Sequence, residues 1–123
     1  MDRRAAVRAY KETPRPMGLF RIRNLRTGKS LVGRSVDLPA RLNRERAQLR
    51  LGAHPNRLLQ QDWAALGPDA FAFEVLDTLE PKDDRSRADT EAELEALEAM
   101  WRDRLAAEGE VERYDPPRAA VRR

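Results

Sequence analysis

The sequence predicts an α+β domain: a small three-stranded antiparallel sheet flanked by three or four helices. Three observations carry that prediction. Two apolar runs, Leu19 to Arg23 and Lys29 to Gly33, are joined by a link too short for a parallel crossover, so they must form a hairpin. A third run, Phe71 to Leu79, is rich in strand-forming residues and lies beyond two helical patterns. A third helical pattern follows it, and so small a sheet needs helices to cover it.

In the first run Leu19, Arg21 and Arg23 alternate with Phe20 and Ile22, the signature of a half-buried strand. Leu25-Arg26-Thr27-Gly28 forms the turn, with Gly28 free to take φ > 0. After the strand that ends at Gly33, Asp37 caps a helix with Pro39 in its first turn. That helix covers about Leu38 to Leu51 and stops at Gly52. Leu38, Leu42 and Leu49 make its apolar stripe; Arg41 flanks the stripe, Arg44 points away, and Glu45 falls among the leucines.

The single histidine, His54, sits in the loop before a second helix, about Asn56 to Leu66, whose buried side is Leu58, Leu59, Trp63 and Leu66. In the third strand Phe71, Phe73, Val75 and Asp77 share one face, and Phe20, Ile22 and Val75 are expected beneath helices. The third helix covers about Ala88 to Glu108, with Leu94, Leu97, Trp101 and Leu105 as its stripe and Glu98 at the stripe's edge. Residues 1–16 read as a short helix and a proline linker, 17–115 as the domain, and 116–123 as a basic tail.

Composition bounds the function. A mean hydropathy of −0.78 and 37% charged residues describe a water-facing chain with a thin core. No apolar run approaches the roughly 18 residues of a membrane span. The chain has no cysteine, hence no disulfide or thiolate metal site, and the cytoplasm is the expected compartment. Residues 1–60 carry 15 basic and 4 acidic side chains, whereas residues 61–123 carry 9 and 17. A basic first half fits a partner made of phosphates, and Arg21, Arg23, Arg34, Arg41 and Arg44 are the expected contacts. The alternative is an arginine-rich composition that only solvates the surface.

Gly18-Leu19-Phe20, then Leu31-Val32-Gly33, then Arg41 on the next helix resembles the GIY-YIG nuclease family. Gly52-Ala53-His54 is similar to the Gly-x-His of its homing-endonuclease members, and Glu98-Ala-Met-Trp101 to the family's Glu-x-x-Trp. Tyr114-Asp115 falls where many members carry Tyr-Asn. The resemblance implies a metal-dependent endonuclease that hydrolyses DNA phosphodiesters. Glu98 would hold Mg²⁺ or Mn²⁺, Arg41 would clamp the phosphate, and His54 would move a proton or touch phosphate. Such a metal neutralises charge and stabilises the leaving oxygen, and an Arg fork matches phosphate geometry.

The departures fall on the chemistry. The two motif tyrosines are Phe20 and Leu31 here, neither able to move a proton. Glu45 stands where members carry His or Tyr, which leaves Glu45 and His54 as the visible bases. Loss of a general base alone costs about 10²–10⁴ in rate. Three functions therefore follow: an impaired endonuclease, an inactive nucleic-acid-binding module, or, more weakly, a protein-interaction domain using the acidic third helix. Double-stranded DNA is the expected partner, and a monomer is compatible with the sequence.

Overall fold

The computed structural model describes residues 15–109 and 113–114. The expected N-terminal helix, Asp115 and the basic tail lie outside them. The strands are β1 (Met17–Asn24), β2 (Ser30–Ser35) and β3 (Phe71–Leu79). The helices are α1 (Leu38–Leu51), α2 (Arg57–Leu66) and α3 (Arg87–Ala107), with one 3₁₀ turn over Pro68–Ala70.

The sheet has the order β2-β1-β3, and β1 is antiparallel to both neighbours. Opposed residues share a face, so the register separates the side chains into two sets. Phe20 opposes Gly33 and Val75, and Ile22 opposes Leu31 and Phe73. This face joins a cluster containing Leu38 and Leu49 of α1, Leu59 of α2, Phe71 and Tyr114. Fully burying each large apolar side chain contributes about 1.5–3 kcal/mol, so this cluster anchors the fold. The other face carries Leu19, Arg21, Arg23, Val32 and Arg34, and α3 lies across β1 and β2 there.

Both motif glycines are required by close packing. A Cβ on Gly18 would lie 2.0 Å from the carbonyl oxygen of Asp77, and one on Gly33 would lie 2.5 Å from Cζ of Phe20. The Phe20 ring therefore lies over the backbone of β2, an outer strand.

The helix boundaries follow local chemistry. The Asp37 side chain accepts from Ala40 N–H and caps α1, and Asn56 accepts from Leu59 N–H and caps α2. Ser86 and Asp89 form a reciprocal capping box at α3.

Three expectations need correction. The β1–β3 register shifts between Leu19 and Phe20, so Leu19 faces Asp77 while Phe20 faces Val75, and Leu76 is the extra residue. The bulge moves Asp77 to the α3 face, where Trp101 Nε1–H donates to its Oδ2 at 2.9 Å. Val75 stays on the α1 face but is 49% exposed, beside an open groove lined by Pro16, Leu38 and Leu42. Leu58, expected inside, is also exposed. The inner face of α2 is set by Leu59, Trp63 and Leu66, and Leu58 sits about 100° away from Leu59.

Candidate nucleic-acid interface

Two charged clusters border β2, one reached from each face of the sheet. On the first face, Glu45 is buried one turn beyond Arg41 on α1. Its Oε2 accepts from Arg41 Nε at 2.9 Å, and its Oε1 bonds His54 Nε2 at 2.6 Å. His54 Nδ1 accepts the Asn56 N–H at 3.0 Å, which leaves the neutral ring's proton on Nε2, donating to Glu45. The loop holding His54 is fixed in turn, since His54 N–H donates to Gln60 Oε1 and Gln60 Nε2 donates to Leu49 O.

Arg41 is held on two sides and open on a third. Its guanidinium lies 5.0 Å from the centroid of the Phe20 ring, a cation–π contact that fixes its plane. Only Nε is used on Glu45; Nη1 and Nη2 meet no acceptor among the described residues, and the side chain is 31% exposed. Phe20 fills the place of a motif tyrosine as a fully buried platform, and Leu31 is a half-buried core residue.

On the second face, Glu98 of α3 is buried and held by two guanidinium groups. Oε1 accepts from Arg34 Nη1 at 2.6 Å, and Oε2 from Arg102 Nη2 and Nε at 2.6 and 3.0 Å. Arg34 Nε also donates to Glu91 Oε1 at 3.3 Å, and Arg102 Nη2 to the carbonyl of Val32. Burial by itself would push the Glu98 pKa up. Hydrogen bonds from Arg102 and Arg34 outweigh that and hold it below the ordinary glutamate value of 4.5. The bond to Glu98 raises the Arg34 pKa correspondingly.

This donor set does not fit a divalent cation. Mg²⁺ takes oxygen ligands and open positions for water, whereas both oxygens of Glu98 already face guanidinium nitrogens. A dication roughly 5 Å from one guanidinium is repelled by about 7 kcal/mol at an effective dielectric of about 20. Among the described residues no group of three or more His, Asp or Glu side chains is arranged to hold a metal.

The remaining arginines divide sharply. Arg21 Nε and Arg23 Nη2 both donate to Glu74 across the sheet at 2.9 Å, so these expected phosphate contacts are engaged on β3. Arg44 is exposed on α1, and exposed Arg26, Arg50 and Arg57 join it without an ion-pair partner among the described residues. The sequence asymmetry is thereby folded away in part: Glu74, Glu91 and Glu98, from the acidic half, neutralise arginines of the basic half.

Sequence reasoning missed Arg102 and the Tyr114 network. Arg102 had a signal, four residues beyond Glu98 on one helix. Tyr114 Oη donates to Asp62 at 2.6 Å and accepts from Asn24 Nδ2 at 2.9 Å, links spanning 52 and 90 residues that no local pattern encodes. Burial, then Asp62, pushes the Tyr114 pKa up to about 12, so it is a structural tie and no ready proton donor.

No protein-family model and no curated protein match the chain. Solved structures do. The catalytic domain of homing endonuclease I-TevI matches with a TM-score of 0.61 at 20% identity, over 81% of this chain and 99% of that one. A mutant of the same intron-endonuclease domain matches with a TM-score of 0.60 at 20% identity, over 77% and 89%. The chain has a GIY-YIG-like fold, the α+β arrangement of the I-TevI catalytic domain.

Proposed function

We propose that this chain binds the phosphate backbone of nucleic acid, duplex DNA first, as a GIY-YIG-like domain that no longer cleaves efficiently. One observation carries the binding: Arg41 is fixed by Glu45 and Phe20 while both of its terminal nitrogens are left for a phosphate. Two parallel N–H donors in that plane match two phosphate oxygens. Exposed Arg44 lies three residues from Arg41, on the adjoining part of α1, and adds charge without geometry. The proposed roles are therefore Arg41 as the phosphate clamp, Glu45 and His54 as its support, and Arg44 as a secondary contact.

The weak cleavage is supported from the other side. Phe20 and Leu31 carry no proton to exchange, His54 spends its acceptor nitrogen on the Asn56 N–H, and Glu98 is taken up by Arg34 and Arg102. A metal-dependent endonuclease using Mg²⁺ or Mn²⁺ at Glu98 is the second reading, favoured by the likeness to an endonuclease catalytic domain. It requires the guanidinium groups to leave Glu98.

A nicking assay on supercoiled plasmid, run beside a duplex-binding titration, separates the two. The expected outcome is binding that weakens with salt at about 0.9 in log–log slope per phosphate neutralised, with Arg41→Ala weakening it at every salt concentration. Nicking should be equally low for the native chain, for Glu98→Gln and in chelator. Metal-dependent nicking that Glu98→Gln abolishes would establish the second reading. Affinity independent of salt would remove both.

A further inference from the structure

Arg34 makes contacts of the kind a bridging cation makes. It comes from β2, yet its Nη1 and Nε reach two acids of α3 that are seven residues apart, Glu98 at 2.6 Å and Glu91 at 3.3 Å. Residues at that spacing lie on one helix face, two turns apart. Arg102 completes the neutralisation from within the helix. Arg34 spends two of its three nitrogens this way. Its Nη2 meets no acceptor among the described residues, and 32% of the side chain remains exposed.

We infer that Arg34 is a built-in counter-cation for Glu98 and Glu91, occupying the place a divalent metal would take, so that the phosphate binding proposed at Arg41 needs no metal. Two acids and one strand-borne guanidinium form a closed set. Removing the guanidinium frees Glu98 Oε1 and Glu91 Oε1 as hard oxygen donors, while Arg102 stays on Glu98 Oε2. A cation would then be drawn to the same spot. The claim about phosphate rests on the binding function proposed above, whereas the claim about the cation does not.

The test is a Mn²⁺ titration of the full chain followed by water-proton relaxation, without nucleic acid, on the native protein, Arg34→Ala, and Arg34→Ala combined with Glu98→Gln. Arg34→Gln, which keeps most of the side-chain volume, replaces Arg34→Ala if circular dichroism shows that the alanine variant is unfolded. The native chain should show no Glu98-dependent Mn²⁺ site. The Arg34 variant should bind one Mn²⁺ at least about tenfold more tightly, and the double variant should lose that gain. A Glu98-dependent Mn²⁺ site in the native chain overturns the inference, as does a folded Arg34 variant with no gain. In a parallel duplex titration, chelator should leave native affinity unchanged; a large loss in chelator overturns the metal-independence. Absence of duplex binding under every condition would fall on the proposed function, with the Mn²⁺ result still deciding the role of Arg34.

Discussion

Glu45 and Glu98 are both carboxylates buried on helices that cover the sheet, but they are neutralised in different ways. Glu45 has one guanidinium and one imidazole, and its arginine keeps two nitrogens without an acceptor among the described residues. Glu98 has two guanidinium groups, one from its own helix and one from a strand 64 residues earlier. The contrast teaches that a buried acid can serve opposite ends. On the proposed function Glu45 holds Arg41 in position for a phosphate, whereas Glu98 is consumed in closing β2 onto α3. Removing a carboxylate should therefore damage mainly binding in the first case and mainly stability in the second.

The largest effect is expected at Glu98. Breaking one side of a fully buried ion pair costs about 3–5 kcal/mol, and partial exposure of Arg34 and Arg102 reduces that here to about 2–3 kcal/mol. Glu98→Gln should lower the urea midpoint accordingly at pH 7. Because the folded-state pKa of Glu98 is lowered, its contribution is full above pH 4.5 and is lost as pH falls through that lower value. The gap between native and variant should close on the acid side and persist at neutrality. A gap that does not change with pH would mean that the charge of Glu98 is not what stabilises.

Gly33→Ala should cost about 2 kcal/mol, since its Cβ would displace the buried Phe20 ring. That ring is also the platform under Arg41, so duplex affinity should fall along with stability. Full retention of both in urea unfolding and binding titrations would show that Phe20 does not hold Arg41.

Glu45→Gln is expected to have the smallest effect on stability, about 1 kcal/mol, because an amide oxygen can still accept one of the two bonds. Its duplex affinity should fall by a larger factor, as Arg41 loses its fixed plane. Equal losses for Glu45→Gln and Glu98→Gln, in both stability and binding, would erase the contrast between the two faces.

Much of this protein is determined within short stretches of its sequence. The Leu19–Arg23 alternation, the short turn, the caps at Asp37 and Asn56 and the apolar stripes of α1 and α3 are local, and they are sufficient for an antiparallel α+β fold. The glycines, Arg41, His54 and Glu98 are legible in the same way, as a spaced series along the chain. Even the Glu98–Arg102 pair follows from helical periodicity. Only the tertiary structure decided what those side chains are bonded to. The bulge at Leu76 moves Asp77 to the other face, a one-residue slip that alternation cannot anticipate. Arg34 meets Glu98, Arg21 and Arg23 meet Glu74, and Tyr114 meets Asn24 and Asp62 across separations of 50 to 90 residues. Charge reads from sequence as a sum, but electrostatic energy falls with distance in space, and those distances exist only once the sheet and helices have packed.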